Sequence, residues 1–108
     1  MKYEVVKNYY DGKFVESVSA ESLDVISPID GNLLSKVPMS TVDELNKAVK
    51  SAKNAFESWS RTPIKERVQV FFRYRYLLEK NLDELTKLVS EENGKTYDEA
   101  KAEVEKSI

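Results

Sequence analysis

Apolar positions along this chain follow two different periods, and the change comes near residue 40. Up to there the chain alternates and turns. Tyr9-Tyr10-Asp11-Gly12-Lys13-Phe14-Val15 places Asp-Gly between two β-rich pairs, a strong short-range hairpin signal. The pattern recurs in Leu23-Asp24-Val25-Ile26, then Ser27 to Asn32 with Pro28 and Gly31, then Leu33-Leu34-Ser35-Lys36-Val37. The small polar stretch Glu16 to Ser22 between them reads as an exposed loop. Two consecutive β-hairpins over about residues 8–38 are predicted.

From Ser40 the period becomes helical. Thr41-Val42-Asp43-Glu44 is a capping box: the Thr hydroxyl and the Glu carboxylate each take a backbone N–H that the first helical turn leaves free. Leu45, Ala48, Val49, Ala52, Phe56 and Trp59 follow at three- and four-residue spacing, which predicts a buried stripe close enough to a neighbour to need alanines. Phe56 and Trp59 continue that stripe and are expected in a core. Thr62-Pro63 predicts a second start, with Thr as N-cap and Pro in the first helical position. Ile64, Val68, Phe71, Phe72 and Leu78 give that helix a wide apolar face. Asn81 is expected to cap a third helix with stripe Leu82, Leu85, Leu88 and Val89, and Gly94 to stop it. Thr96-Tyr97-Asp98-Glu99 is a second capping box. The stripe it opens, Ala100, Val104 and Ile108, is still running at the last residue, as expected of a piece of a longer protein. The fold class predicted is α+β: two N-terminal hairpins, then four amphipathic helices over about residues 41–108.

Composition narrows the chemistry. There is no Cys and no His, so the commonest nucleophile and general base are missing, with disulfides and most zinc or haem sites. The 17 basic and 19 acidic side chains leave a net charge of −2, which gives nucleic acid no general attraction. No apolar run approaches the length that spans a bilayer, and Met1 to Lys7 lacks a signal-peptide core, so a cytoplasmic protein is expected.

Three clusters could carry chemistry. Phe71-Phe72-Arg73-Tyr74-Arg75-Tyr76 interleaves rings with cations, as a base-stacking surface would. Helical spacing and the acidic net charge favour a helix with a broad apolar face and snorkelling arginines. Glu91-Glu92-Asn93-Gly94-Lys95 lacks the glycine-rich run of a phosphate loop and reads as a helix stop. Glu99, Glu103 and Glu105 include an i,i+4 pair on one helix face, an ordinary feature of solvated helices.

Taken in order, these patterns resemble the N-terminal region of the aldehyde dehydrogenase superfamily, from about Asn8 to Ile108. The matching features are Tyr9 to Ser17, Asp24 to Gly31, Val37-Pro38, the helix from Ala48 to Ser60, Thr62-Pro63 with Arg67, Glu91 to Lys95, and Glu99 to Val104. The stretch Phe72 to Val104 is most similar to the acylating methylmalonate-semialdehyde dehydrogenases. The resemblance implies that residues 1–108 form the N-terminal part of a cofactor-binding domain in an α/β enzyme with a Rossmann-like core. The parent would be an oxidoreductase using NAD or NADP to turn an aldehyde or semialdehyde into an acid or acyl-CoA. The family's catalytic Cys, base Glu, oxyanion Asn and nucleotide-binding core lie downstream of the matched region. No catalytic residue, no activity and no cofactor binding are therefore expected of this chain alone.

Two site residues carry over from the resemblance. A structural monovalent cation would touch the Ile26 carbonyl and Glu103. A substrate carboxylate would lie near Lys106, where the acylating members often place Arg; Lys keeps the charge but loses the bidentate fork. The partners implied are the remainder of the parent chain and further copies in a homo-oligomer, without nucleic acid or membrane. The alternative reading is a free-standing helical module that docks a protein through its apolar stripes.

Overall fold

The computed structural model describes residues 1–108 as four helices and two two-stranded sheets, divided into two compact units.

The first unit comprises Met1–Val25 and Leu33–Thr62. Strands β1 (Asn8–Tyr10) and β2 (Lys13–Val15) pair antiparallel, with Tyr9 opposite Phe14. The turn between them uses φ of 54° at Asp11 and 72° at Gly12, the two positive values of a type I′ turn. Those angles match the twist of the strands, and glycine takes its angle without strain. The Tyr9 and Phe14 rings meet edge-on at 4.9 Å. Strand β3 (Ser22–Ile26) pairs with β4 (Leu33–Pro38), and Leu34 of β4 is buried. The N-terminal segment lies along β4, with Lys2 and Tyr3 N–H donating to the Leu34 carbonyl and Val6 N–H to that of Lys36. Helix α1 (Val42–Trp59) starts at the expected box: Thr41 Oγ1 accepts from Glu44 N–H, and the Glu44 carboxylate accepts from Thr41 N–H.

The face of α1 departs from expectation. Ala48 is half-buried, but Leu45 is 61% exposed and Phe56 65%, and Val49, Ala52 and Trp59 are exposed too. Periodicity reports which face is apolar, not whether anything in this unit covers it. What the alanines do face is the hairpin turn. Tyr9 to Gly12 and the small residues Ala48, Ser51, Ala52 and Ala55 line an open cavity of about 570 Å³.

The second unit comprises Ile26–Asn32 and Pro63–Ile108. In helix α2 (Ile64–Lys80) no residue is buried; Val68 and Leu78 are half-buried, and Ile64, Phe71 and Phe72 are exposed. Pro63 is itself the N-cap, so the expected Thr62 cap is displaced by one residue. The Thr62 hydroxyl instead donates back to the Ser58 carbonyl and closes the end of the preceding helix. Helix α3 (Leu82–Asn93) follows after one residue, Asn81. Asn81 stands at the expected cap position, yet its side chain donates backwards to the Leu77 carbonyl and leaves the α3 N-terminus uncapped by side chain. Gly94 ends α3 at φ 68° as expected, and a Cβ there would lie 3.1 Å from Pro28 Cγ, so both backbone angle and space call for glycine.

Helix α4 (Tyr97–Glu105) opens on Thr96 and Glu99 as the second box requires. It packs on α3 with Ala100 and Val104 buried and Ile108 half-buried. Thr86 of α3 is fully buried too, a core position that the leucine stripe did not reveal. Small residues at the contact let the two helices approach closely.

Candidate functional site

The only carboxylate in the chain that is nearly buried is Glu44, 5% exposed. Its Oε1 accepts from Val18 N–H at 2.9 Å, and its Oε2 accepts from Ser17 Oγ at 2.9 Å and Thr41 N–H at 2.7 Å. The Thr41 and Val18 amides, with help from the two hydroxyls, hold its carboxyl down at about 2. Such a group stays ionised at neutral pH and can act there neither as general acid nor as an effective base. Its role is to hold a loop. The segment Glu16 to Ser22, expected as an exposed loop, is tied to the start of α1 by this carboxylate. The sequence reading found the capping half of Glu44 and missed the loop half, because Ser17 and Val18 are far away in sequence.

On the second unit, Gly94 and the Thr96 cap fix where α4 starts. Its period then aligns Glu99, Ala102, Glu103 and Lys106 on one face. With Lys95 these residues line an open depression of about 550 Å³. Lys106 and Glu103, two of the three residues singled out above, are thus brought to one place. Glu99 and Glu103 share the face as their spacing requires, both exposed. The Glu103 carboxylate is paired with the Lys95 ammonium. Lys106 is exposed at the C-cap, its backbone N–H donating to the Ala102 carbonyl. Ile26, the third of those residues, ends β3 with its side chain exposed.

These groups do not by themselves compose a cation site. A hard cation takes several oxygen ligands. Here the one carboxylate already has a lysine countercharge, and no cluster of three or more acidic side chains forms around it.

A third polar group ties α3 to α4. Asp83 accepts from Lys87 Nζ at 2.7 Å and from Tyr97 Oη at 2.8 Å. Lys87 first, then Tyr97, lowers the Asp83 carboxyl below its ordinary value, while Asp83 raises both the Lys87 ammonium and the Tyr97 phenol. All three are exposed, and Asp83 favours the protonated forms of Lys87 and Tyr97, so neither is an activated nucleophile. The arrangement ties the start of α3 to the start of α4.

The profile of the aldehyde dehydrogenase family matches residues 14–108. The chain belongs to the aldehyde dehydrogenase family. It is 44% identical over 105 residues to malonate-semialdehyde dehydrogenase 1 of Geobacillus thermodenitrificans (strain NG80-2), covering 97% of this chain and 22% of that protein. A crystal structure from Sinorhizobium meliloti 1021, assigned as a methylmalonate-semialdehyde dehydrogenase complexed with NAD, superposes with a TM-score of 0.87 at 35% identity. The match covers 94% of this chain and 21% of that one. The NADP-dependent glyceraldehyde-3-phosphate dehydrogenase of Bacillus halodurans C-125, complexed with NADP, superposes with a TM-score of 0.88 at 30% identity, over 94% of this chain and 21% of its own. The chain therefore spans about a fifth of the length of its relatives and corresponds to an N-terminal fragment of such enzymes. The hairpins and capped helices described above are that region of the family fold.

Proposed function

We propose that this chain is the opening part of an NAD(P)-dependent aldehyde dehydrogenase that oxidises a semialdehyde. The observation that carries the reading is the identity to the Geobacillus malonate-semialdehyde dehydrogenase over nearly the whole chain. In such an enzyme a thiolate adds to the aldehyde carbon, a hydride leaves that carbon for the nicotinamide, and the acyl thioester is released to water or coenzyme A. With no Cys, residues 1–108 cannot form the thioester. They also lack a glycine-rich strand-to-helix turn for the dinucleotide. Their contribution is to frame the cofactor domain.

Within that reading, Lys106 lies near the substrate carboxylate as a single charge on a flexible stem. Glu103 and the Ile26 carbonyl contribute to a monovalent cation site only when further oxygens come from elsewhere and draw Glu103 off Lys95. No helix is long and apolar enough to cross a membrane, and the cytoplasm is the compartment proposed.

Two measurements test the proposal. Sequencing the coding DNA beyond codon 108 should show an open frame running into a Rossmann pattern and a later Cys; a stop codon in the natural gene at that point overturns it. The purified 108-residue chain, given malonate semialdehyde, NAD and coenzyme A, should form no reduced nicotinamide above a mock-purified control. Turnover would show that the chemistry does not need the missing thiol.

A further inference from the structure

Of the six asparagines in the chain, only Asn93 is followed by glycine. Such a pair can react with itself, because glycine has no side chain to screen its amide nitrogen from the preceding carboxamide. The other two glycines follow Asp11 and Asp30. An ionised carboxylate is a poor acyl group, and the Asn32 backbone and side-chain amides hold the Asp30 carboxyl below its ordinary value. Asn93–Gly94 is therefore the reactive pair.

The fold restrains it with three hydrogen bonds. Asn93 is the last residue of α3, and Gly94 turns away from the helix at φ 68°. The Gly94 N–H, whose nitrogen would attack, donates to the Ser90 carbonyl at 2.8 Å. Asn93 Nδ2 donates to the Val89 carbonyl at 3.2 Å. Ser90 Oγ reaches across the joint and donates to the Lys95 carbonyl at 2.7 Å. An amide that is already donating gives up its proton poorly. Ser90 thus holds both sides of the glycine, Gly94 by its carbonyl and Lys95 by its hydroxyl. All three bonds lie in the last turn, the part of a helix that opens at least cost.

We propose that Asn93 is a site of spontaneous deamidation, and that Ser90 is the latch that sets its rate. When the last turn opens, hydroxide takes the Gly94 amide proton and the nitrogen adds to Asn93 Cγ. The N–Cγ bond forms, the Cγ–Nδ2 bond breaks, and the nitrogen leaves as ammonia with a proton from water. Water then opens the cyclic imide at either carbonyl. Opening at Cγ gives aspartate; opening at the main-chain carbonyl routes the backbone through Cγ and gives isoaspartate. Nothing is oxidised or reduced, and water and hydroxide are the only other reactants. The product sets a carboxylate at the negative end of the α3 dipole, next to Glu91 and Glu92 in sequence. Its isoaspartyl form also adds a methylene to the backbone at the joint from which α4 starts.

Peptide mapping of the folded 108-residue chain, aged in mildly alkaline buffer, tests this. Trypsin releases residues 88–95 as one peptide. That peptide should gain the mass difference between an amide and an acid, and part of the product should resist a protease that cuts before Asp. Conversion should run at least about tenfold faster in chain unfolded by urea. Below the unfolding transition it should hardly respond to urea, because local opening exposes little surface. Ser90→Ala should speed conversion several-fold, and Asn93→Gln should abolish the mass gain. Circular dichroism checks that the variants keep their helices; should Ser90→Ala unfold, the urea dependence of the unmodified chain decides. A folded chain that keeps Asn93 intact while the unfolded chain converts overturns the proposal. So does conversion that climbs with urea in step with global unfolding, and so does folded Ser90→Ala that ages at the unmodified rate.

Discussion

Thr41 to Glu44 and Thr96 to Glu99 close the same reciprocal cap at the starts of α1 and α4, one in each unit of the molecule. At α4 the Glu99 carboxylate takes the Thr96 amide and hydroxyl, and its residue stays exposed. At α1 the Glu44 carboxylate does the same for Thr41, then takes Ser17 Oγ and Val18 N–H as well, and is nearly buried. An identical local signal thus ends in two structural roles. What separates them is whether a second segment arrives to use the remaining lone pairs. The first unit is fastened by a polar hub, while the second closes on small side chains, Ala100 and Thr86, with Gly94 against Pro28.

The largest effect should come from removing the hub. Glu44→Ala deletes both the cap and the loop tether and leaves the Val18 amide and Ser17 hydroxyl without their acceptor. It should lower the thermal midpoint by roughly 10 °C, against about half that for Glu99→Ala. Equal shifts measured by circular dichroism would show that the loop contacts contribute nothing beyond the cap.

Next come the glycines. Gly94→Ala sets a Cβ at a positive φ and 3.1 Å from Pro28 Cγ, and should cost about 1–2 kcal/mol in urea titration. Gly12→Ala is strained by its φ of 72° but meets open space, and should cost about 1 kcal/mol. Should Gly12→Ala prove the costlier, packing against Pro28 is not what makes the second unit demanding.

Acid and alkali should act on different units. Because the folded Glu44 pKa is depressed to about 2, its contribution is full above the unfolded value near 4.5 and fades as pH falls toward 2. Amide exchange at Val18 should accelerate across that window. The Tyr97 phenol is shifted the other way, raised by Asp83, so its contribution is intact below about 10 and is lost as pH climbs through the raised value. Acceleration at alkaline pH should therefore appear at the α3–α4 junction; its absence in Tyr97→Phe identifies the group. The smallest effect expected is for Lys95→Ala, within about 1 kcal/mol, since the Lys95–Glu103 pair is exposed.

How much of this was legible beforehand follows from range along the chain. Both Thr-x-x-Glu boxes, the Asp11-Gly12 turn and the Gly94 stop were readable, because each is decided by partners within four residues. Thr62 proves not to be the cap, and Asn81 stands at the cap but without its side-chain bond, for one local reason: each side chain finds a carbonyl four residues back before it can serve the helix ahead. The Leu45–Trp59 stripe was read correctly as a face and wrongly as a core. Spacing carries no information about whether the covering segment lies within these 108 residues. The α4 stripe is both a face and a core, with Ala100 and Val104 buried, because its cover, α3, lies within the chain. Of the site residues, helical period was enough to set Glu103 beside Lys106. The Lys95 pairing depends on the path of the chain through Gly94 and could not be read.

One joint has a mechanical meaning. Helix α2 ends at Lys80 and α3 begins at Leu82, so Asn81 alone connects them, holding α2's last turn through the Leu77 carbonyl. With one residue between the two rods, the phase of α3 is fixed by where α2 ends. Each residue inserted at such a coupling advances a helix by about 100° in phase and 1.5 Å in length. This part of the chain can therefore change its side chains one at a time, but its length only in whole helical turns.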